Sequence, residues 1–336
     1  MMKLKIGIIG LGYWGPNYVR NFLKHKQVEV IWLCDLSQKA IKEIKHLYPQ
    51  LKITRQYQDI LQDTKIDCVA IATPPQTHFE IAKNSLLANK HVLIAKPLAT
   101  NGKDARELLQ IAKKQKLFLM GDLTFLYSSG IREIKKQIKN GTIGKPLYYD
   151  STRSNLGLIQ KDVNVIWDLA PHDLSIIDYC FGFKPEQILA TASNHYLHSK
   201  GHEIAHIVIT YTNNFVAHIH LSWLSPIKLR TIFVGGTKKM IYFNDVEPDE
   251  KIRIYDKQVK IRSEKVTPFK PVYRTGDVTI PKISSEEGLF LEIKEFSEQI
   301  LHKTFTYENA MLNLKIVEML EACDKSLLTG RPVIVS

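Results

Sequence analysis

The sequence predicts an α/β protein. An N-terminal Rossmann domain with a doubly wound parallel sheet precedes an α+β domain with an open, mostly antiparallel sheet. Short apolar runs alternate with amphipathic segments as far as Gly121, as in successive βαβ units. A glycine-rich motif follows the first of these runs. From Pro146 onward, runs that alternate apolar and polar residues are separated by turns, which is typical of antiparallel strands.

The first domain is expected to contain short buried strands, each followed by a helical segment. The predicted strands are Lys3–Ile9, Val28–Asp35, Asp67–Ala72, His91–Ala95 and Leu117–Gly121. The predicted helices are Ser37–Leu47, Tyr57–Leu61, Gln76–Ala88 and Asn101–Gln115, and a further helix, Ser128–Lys139, follows the domain boundary. Ser37 is a suitable N-cap, because its hydroxyl can accept a hydrogen bond from the first turn.

The second domain is expected to be built mainly of strands and closed by two helices. The predicted strands are Leu147–Ser154, Gln187–Asn194, Glu203–Thr212, Phe215–Trp223, Arg230–Val234, Lys239–Phe243 and Lys251–Tyr255. The closing helices are Glu286–His302 and Glu308–Leu328. We place the domain boundary after residue 122, which gives domains 1–122 and 123–336.

The glycine-rich motif predicts a dinucleotide site. Gly10, Gly12 and Gly15 have G-x-G-x-x-G spacing between a strand and a helix that Pro16 suits in its first turn. The first glycine permits the turn, the second lets a pyrophosphate approach the backbone, and the third lets the helix pack closely. Asp35 ends the next strand, where a carboxylate accepts hydrogen bonds from the adenosine ribose and repels a 2′-phosphate. We therefore predict NAD rather than NADP.

Three further residues are candidates for chemistry. Lys96 follows the fourth strand, at the edge expected to face the nicotinamide, where it could donate to a substrate oxygen; a solvated surface lysine is the alternative. Asp168 and His172 are four residues apart in a helix predicted to start near Asp168, with Pro171 in its first turn. A carboxylate so placed can orient an imidazole for proton transfer. The alternatives are a helix cap and a metal site; no further ligands are evident, so no metal is predicted.

Polar residues at the end of the next domain's first strand are candidate substrate ligands. Arg153 and Asn155 could bind a diphosphate or sugar hydroxyls, or could occupy an edge position of the sheet. His218 and His220 alternate out of a strand and are interpreted as sheet-face residues without a catalytic role. Asp173 is interpreted as a partner of the helix dipole.

Composition narrows the class of protein. The 336 residues carry a net charge of +12 from 46 basic and 34 acidic residues. This charge could attract an anionic ligand such as a nucleotide sugar, or the lysines could be solvated surface residues; the basic residues are spread out, so nucleic-acid binding is not predicted. No apolar run reaches the ~18 residues of a membrane span. We expect that the chain has no signal peptide, that its cysteines are free thiols, and that the protein is cytoplasmic.

These motifs together resemble the Gfo/Idh/MocA oxidoreductases over essentially the whole chain. The resemblance rests on Gly10–Gly15, on Ala72-Thr73-Pro74 with His78, on Lys96-Pro97, and on Asp168 with His172. The stretches 12–17, 153–157 and 165–173 resemble the branch that acts on nucleotide-linked sugars, such as UDP-N-acetylglucosamine 3-dehydrogenases.

The resemblance implies roles for residues of this sequence. Catalysis is expected from Lys96, Asp168 and His172. The expected cofactor contacts are Gly10, Gly12, Tyr13, Trp14, Gly15, Asp35, Thr73, Pro74, His78 and Lys96. The expected substrate contacts are Lys96, Arg153, Asn155, Asp168 and His172. A homodimer or homotetramer formed through the C-terminal sheet is also implied.

Two residues depart from the family pattern. Ala95 replaces the glutamate that usually precedes the motif lysine, and its absence could reduce or change activity. Asp122 stands where His or Tyr is common, and an extra carboxylate near the cleft could alter substrate choice.

The predicted activity is NAD-dependent oxidation of a secondary hydroxyl on a sugar ring, with C3 of a UDP-linked amino sugar as the first choice. The alternatives are a free sugar or polyol (inositol-like) dehydrogenase, a 3-ketosugar-nucleotide reductase and a NAD-bound sensor without catalysis. Whether Lys96 or His172 is the base is left open.

Overall fold

The computed structural model describes residues 3–157, 159, 163–196, 201–261 and 271–335. The chain forms two compact units: Met1–Tyr127 with Glu286–Glu318, and Ser128–Ser285 with Met319–Ser336. The predicted domains 1–122 and 123–336 stay a prediction. They do not include the return of residues 286–318 to the first unit.

The first unit contains a six-stranded parallel sheet in the order β3-β2-β1-β4-β5-β6. The strands are β1 (Leu4–Ile9), β2 (Val28–Cys34), β3 (Lys52–Thr54), β4 (Cys68–Ile71), β5 (His91–Ile94) and β6 (Leu119–Gly121). The helices between them are α1 (Gly15–Lys24), α2 (Gln38–Leu47), α3 (Tyr57–Gln62), α4 (Pro75–Leu87) and α5 (Gly102–Gln115). This strand order is that of a doubly wound dinucleotide fold, and it reverses between β1 and β4, where such folds bind ligands.

The predicted parallel sheet is therefore confirmed, with one strand more than expected. Strands β4 and β5 are almost wholly buried, as continuous apolar runs in a parallel sheet should be. Ser37 caps α2, because its hydroxyl accepts a hydrogen bond from the Ala40 N–H. Strand β3 was not predicted, since its three residues are partly exposed and form no apolar run.

The return segment completes the first unit with α8 (Gly288–His302) and the start of α9 (Glu308–Thr329). Strand β6 is at the edge of the sheet, and the Asn309 side chain takes the place of a neighbouring strand. Its Oδ1 accepts from the Gly121 N–H at 2.8 Å, and its Nδ2 donates to the Gly121 carbonyl at 3.2 Å. A Cβ at Gly121 would overlap the Asn313 amide. The edge strand is thus paired by side chains that come from far along the chain.

The second unit contains a nine-stranded sheet in the order β14-β13-β12-β11-β7-β10-β9-β8-β15. The strands are β7 (Pro146–Leu156), β8 (Pro185–Ser193), β9 (Ile204–Tyr211), β10 (Val216–Ser222), β11 (Leu224–Gly236), β12 (Met240–Asn244), β13 (Ile252–Ile261), β14 (Pro271–Thr279) and β15 (Val333–Ile334). Its helices include α6 (Ser129–Lys139) and α7 (Val165–Phe181). Strands β7 and β10 are parallel and the other described pairings are antiparallel, so the mostly antiparallel sheet is confirmed.

Helix α7 begins earlier than the sequence predicts. Asn164 is its N-cap, and the Asn164 Oδ1 accepts hydrogen bonds from the N–H groups of Ile166 and Trp167 at 3.0 Å. Pro171 therefore lies inside the helix and not in its first turn. The expected start near Asp168 was wrong because the capping asparagine, and not the proline, defines the helix start. Asp168 keeps a first-turn position.

Strand β14 was also missed from the sequence. Apart from the half-buried Pro271, its side chains are exposed. No buried face therefore imposes an alternating pattern on this strand. None of the described helices combines the length and apolar character that a membrane span requires.

A buried acid anchors the return segment. Glu292 on α8 has no exposed surface. Its Oε1 accepts from the Leu123 N–H at 2.7 Å, and its Oε2 lies 2.8 Å from the Thr124 hydroxyl oxygen. Burial first, and then the neighbouring Asp122 carboxyl, raise the pKa of Glu292 well above its ordinary value. The neutral acid is the form that this environment favours.

This raised pKa predicts a specific dependence of stability on pH. The unfolded state ionises Glu292 near pH ~4.3, whereas the folded state keeps the proton. The contribution of Glu292 to stability is therefore complete below that pH and falls as pH rises toward the folded pKa. Glu292→Gln removes the ionisable group, so the stability of this variant relative to wild type should increase with pH, measured by thermal unfolding from pH 4.5 to 8.

The matched control is Glu298→Gln, at a half-exposed position of the same helix whose side chain is 41% exposed. Its unfolding midpoint should follow that of wild type at every pH. If Glu292→Gln also follows wild type in parallel, the buried neutral acid is excluded.

Candidate active site

The three positions of the motif differ in why glycine occupies them. Gly10 has φ +96°, and a Cβ there would lie 2.6 Å from the carbonyl carbon and oxygen of Ala72. A Cβ at Gly15 would overlap the Gly10 carbonyl oxygen. A Cβ at Gly12 would meet nothing within 4 Å. The protein itself requires the first and third glycines, whereas Gly12 leaves a space that a ligand can approach.

The start of α1 borders this space. Trp14 occupies the N-cap position, and its side chain makes no capping hydrogen bond. Pro16 lies in the first turn, as expected. Backbone N–H groups at such a helix start are suited to a phosphate. The neighbouring Tyr13 is 80% exposed, so its ring is available to a ligand.

Asp35 lies beside the same loop, after the end of β2. Its Oδ2 accepts from the Leu11 N–H at 2.6 Å, and its Oδ1 accepts from the Ser37 N–H at 2.6 Å. The carboxylate is thereby held in place while the residue stays half-exposed. An open glycine, a helix start and a fixed carboxylate at one sheet edge fit a dinucleotide with unmodified ribose hydroxyls.

His78 occupies a different place from the one expected. Its side chain is completely buried. Its Nδ1 lies 2.8 Å from the Pro97 carbonyl oxygen, and its Nε2 lies 2.8 Å from that of Thr73. Burial lowers the pKa of His78 despite these two carbonyls. The expected direct contact between this side chain and the cofactor does not fit its burial; instead it joins the loops that follow β4 and β5.

These two loops carry the other expected nicotinamide-side residues. Thr73 is half-buried and Pro74, the N-cap of α4, is exposed. Lys96 follows β5, is half-buried, and precedes Pro97 through a cis peptide bond. Because all strands of this sheet are parallel, Thr73 and Lys96 lie at the same edge as the glycine-rich loop. Their roles toward cofactor and substrate stay predictions.

Asp122 is not the cleft carboxylate that the sequence suggested. It is only 4% exposed. Its Oδ2 accepts hydrogen bonds from the Trp14 indole N–H and the Tyr18 hydroxyl, both at 2.8 Å. Because its oxygens are occupied inside the first unit, Asp122 is not exposed for direct contact with a substrate, and an effect on substrate choice stays a prediction.

In the second unit, Asp168 and His172 lie on one face of α7. Both are half-buried, and their spacing of four residues is one helical turn. The Asp168 Oδ2 accepts a hydrogen bond from the buried Trp223 indole N–H at 3.0 Å. The carboxylate therefore has a fixed orientation, one helical turn from the half-buried His172 imidazole. This arrangement suits proton transfer.

Arg153 is buried, contrary to its expected role as a substrate ligand. Its Nε donates to the Asp173 Oδ2 at 2.5 Å, and the Tyr149 hydroxyl donates to the Asp173 Oδ1 at 2.7 Å. Arg153 and Asp173 are at most 5% exposed. The pair joins β7 to α7, so Asp173 is an internal ion-pair partner and not a partner of the helix dipole. Asn155, nearer the end of β7, stays half-exposed.

The histidines of β10 lie on the sheet face turned away from α7. The His218 Nδ1 is 2.7 Å from the Asp150 Oδ1 on β7. His220 stacks on His206 of β9, with ring centroids 4.5 Å apart. Both belong to a partly exposed sheet face, as the alternation in the sequence suggested.

One recurring contact was missed from the sequence. Each of the four tryptophans donates its indole N–H to an aspartate carboxylate. The pairs are Trp14–Asp122, Trp32–Asp63, Trp167–Asp324 and Trp223–Asp168. Their partners are 31 to 157 residues apart, so no local spacing signals them. The only sequence cue is that a buried indole needs an acceptor.

The chain belongs to the Gfo/Idh/MocA oxidoreductase family. The model of the "oxidoreductase family, NAD-binding Rossmann fold" matches residues 4–122. The model of the "GFO/IDH/MocA C-terminal domain" matches residues 131–242. The first unit is thus an NAD-binding Rossmann unit, in agreement with the space at Gly12 and the position of Asp35.

The relatives with similar sequences include inositol dehydrogenases. Myo-inositol 2-dehydrogenase of Thermotoga maritima is 25% identical over 195 residues, which cover 56% of this chain and 58% of that protein. Such curated relatives are matched over little more than half of their length.

Two solved structures share the fold over nearly the whole chain. GenD2 from gentamicin A biosynthesis, in complex with NAD, has a TM-score of 0.85 and 17% identity, and covers 100% of this chain and 97% of its own. UDP-N-acetylglucosamine 3-dehydrogenase GnnA from Acidithiobacillus ferrooxidans has a TM-score of 0.82 and 19% identity. The match covers 98% of this chain and 99% of the GnnA chain. At these identities the likeness concerns the fold.

Substitution of the glycines should separate folding from cofactor binding. Gly12→Ala should unfold within about 2 °C of wild type, because its Cβ meets no protein atom. It should weaken NADH binding at least about tenfold, because the methyl group enters the ligand space. Gly15→Ala should lose about 1–3 kcal/mol of stability through overpacking.

Thermal unfolding and titration of NADH fluorescence measure the two effects. A Gly12→Ala protein that binds NADH as tightly as wild type would show that the cofactor does not use this space.

Proposed function

We propose that this protein is an NAD-dependent dehydrogenase that oxidises a secondary hydroxyl on a sugar ring, with C3 of a UDP-linked amino sugar as the preferred substrate. One observation carries the proposal. Asp168 and His172 share a face of α7, and Trp223 fixes the Asp168 carboxylate. A carboxylate–imidazole pair suits removal of a hydroxyl proton, and the same chain has a unit that binds NAD.

The proposed roles concern the proton and the oxygen of the reacting hydroxyl. When bound, NAD accepts a hydride from the carbon that is oxidised. His172 is placed to take up a proton, and Asp168 stabilises the resulting imidazolium. Lys96 donates a hydrogen bond to the hydroxyl oxygen, a type of contact worth about 3 kcal/mol in the transition state. Lys96 and His172 are both candidates for the base, and the variants below distinguish them.

The cofactor preference follows from Asp35. Its carboxylate is held by the N–H groups of Leu11 and Ser37, so it cannot turn away from a ligand without losing two hydrogen bonds. A 2′-phosphate next to this charge would be repelled. We therefore propose NAD over NADP, and comparison of the two cofactors in the same assay tests this choice.

A free polyol of the inositol type is the second candidate substrate. The observation in its favour is the similarity to myo-inositol 2-dehydrogenase. The UDP-sugar proposal is supported by the resemblance of residues 12–17, 153–157 and 165–173 to nucleotide-sugar enzymes, and by the full-length likeness in fold to GnnA. The burial of Arg153 removes one expected ligand for a diphosphate, so the assay has to decide between the two classes.

The deciding assay follows NADH formation across UDP-sugars and free polyols, with NAD and NADP compared. Turnover on a UDP-amino sugar with NAD supports the proposal, and turnover on inositol alone selects the second candidate. If the protein reduces a 3-ketosugar nucleotide with NADH but does not oxidise the sugar, it is a 3-ketosugar-nucleotide reductase. NADH binding without turnover of any substrate in either direction would indicate a NAD-bound sensor, as Ala95 suggested.

Variants at the proposed catalytic residues should lose turnover. Lys96→Ala and His172→Ala should each lower kcat by about 10²–10⁴-fold. His172→Ala should still bind NADH as wild type does, because His172 lies outside the Rossmann unit. If the fall of kcat/KM at acidic pH disappears in only one variant, that residue is the base, because a base must be deprotonated to act. His46→Ala, an exposed position on α2, is the control, and full activity of His172→Ala contradicts its role.

We also propose a homodimer or homotetramer formed through the second unit's sheet. The sheet face turned away from α7 carries His206, His218 and the 48% exposed Phe233, and an open face of this kind is suited to a partner. Light scattering should give a multiple of 38.6 kDa, and Phe233→Glu should reduce it. Leu47→Glu, exposed on α2, should not. A monomeric wild-type protein contradicts the proposal.

A cytoplasmic location is proposed from the cysteines. Cys34, Cys68, Cys180 and Cys323 are buried and form no disulfide, as is usual in a reducing compartment. Recovery of the protein in another cell fraction would refute this location.

A further inference from the structure

The glycine-rich loop is tied to the interior of the first unit by one side chain. Trp14 lies between Gly12 and Gly15, and its indole N–H donates to the Asp122 Oδ2 at 2.8 Å. The Tyr18 hydroxyl, one turn further along α1, donates to the same oxygen at 2.8 Å. Two donors from the beginning of α1 therefore converge on one buried carboxylate oxygen.

The other oxygen of Asp122 is held from the opposite side. The Asp122 Oδ1 accepts from the Thr124 N–H at 3.0 Å and from the Thr124 hydroxyl at 2.5 Å. Behind Thr124 stands the buried Glu292 of α8, which accepts from the Leu123 N–H. Glu292 lies outside both segments that the family models match. The Asp122 carboxylate is thus fixed in orientation. Its hydrogen bond with the Trp14 indole in turn fixes the orientation of that side chain.

The other tryptophan of the Rossmann unit shows what is particular to Trp14. The Trp32 indole also donates to an aspartate, Asp63, at 2.8 Å. Trp32 lies within β2, however, and Asp63 lies between α3 and β4, so this pair does not include the glycine-rich loop. The two pairs have the same chemistry and distance but different positions in the fold.

We propose that Asp122 is a positioning residue for cofactor binding, whose carboxylate fixes the Trp14 indole and thereby the glycine-rich loop from Gly10 to Gly15. Asp122 itself contacts no ligand in this account. It acts through Trp14, and it keeps the backbone at Gly12 in the conformation that leaves the ligand space open. The inference rests on the binding of NAD by the Rossmann unit and does not depend on which sugar is oxidised.

An asparagine at 122 tests this role with the least change of shape. Its amide has one acceptor oxygen, so it cannot accept both from the Trp14 and Tyr18 donors and from the Thr124 N–H. At least one buried donor loses its partner. Because a hydrogen bond to a charged group contributes about one power of ten in an equilibrium constant, Asp122→Asn should raise the Kd for NADH about tenfold. Trp14→Phe should raise it at least as much.

A double-mutant cycle separates positioning from general destabilisation. If Asp122 acts through Trp14, then Asp122→Asn should change the Kd less than about twofold in a Trp14→Phe background. Asp63→Asn and Trp32→Phe are the matched controls and should leave the Kd within about twofold of wild type. NADH fluorescence titration without any sugar measures all of these values, and thermal unfolding confirms that each variant is folded.

Two results would overturn the proposal. One is a folded Asp122→Asn protein whose Kd for NADH is within twofold of wild type. The other is a full tenfold effect of Asp122→Asn when Trp14 is already phenylalanine. If Asp122→Asn does not fold, Thr124→Val takes its place in the same cycle, because it removes the hydroxyl that donates to the Asp122 Oδ1. Coupling between Thr124→Val and Trp14→Phe in the Kd for NADH supports the proposal, and additive effects contradict it. Because no sugar is present, failure here is distinct from failure of the proposed dehydrogenase activity.

Discussion

The close approach of backbone to backbone at the end of β1 is the constraint on which the first unit depends. Gly10 is pressed against the Ala72 carbonyl and Gly15 against the Gly10 carbonyl, so neither position has room for a side chain. This contact fixes where α1 begins. The position of α1 then brings Trp14 and Tyr18 to Asp122 and leaves the space at Gly12 open. The cofactor space is thus a consequence of packing that the protein needs in any case.

Buried polar groups whose partners lie in other segments of the chain complete both units. Arg153 pairs with Asp173, His78 lies between two carbonyl oxygens, and Glu292 accepts the Leu123 N–H from a distance of 169 residues. A buried donor or acceptor left alone would cost about 1–3 kcal/mol. These contacts therefore specify which segments pack together, and they explain why residues 286–318 belong with the N-terminal unit.

The sequence predicted the features that local rules determine. The apolar runs of β1, β2, β4 and β5, the glycine spacing, and the Ser37 cap each depend on neighbouring residues, so their patterns can be read without the fold. Strands β3 and β14 were not predicted, because an exposed strand has no buried face that requires apolar residues at regular positions. The predicted start of α7 was wrong because Pro171 lies inside the helix, whereas Asn164 caps it.

The candidate site was predictable only in part, since burial depends on distant partners. Arg153 was predicted as a substrate ligand and Asp122 was placed near the cleft, because a charged side chain at a strand end is usually exposed. Their actual partners, Asp173 and the Trp14 indole, could not be inferred from spacing. Asp168 and His172 share a helix face, as expected, because that relation is set by helical periodicity alone.

A crystal structure of the protein with bound NAD tests the central claim most directly. The claim is that one edge of the parallel sheet binds the cofactor with its nicotinamide toward Lys96. We expect the pyrophosphate to lie against the Gly12 backbone, the adenosine ribose hydroxyls to contact Asp35, and the nicotinamide to lie on the side of Lys96. A cofactor bound away from Gly12, or a nicotinamide turned away from the Lys96 edge, would contradict it.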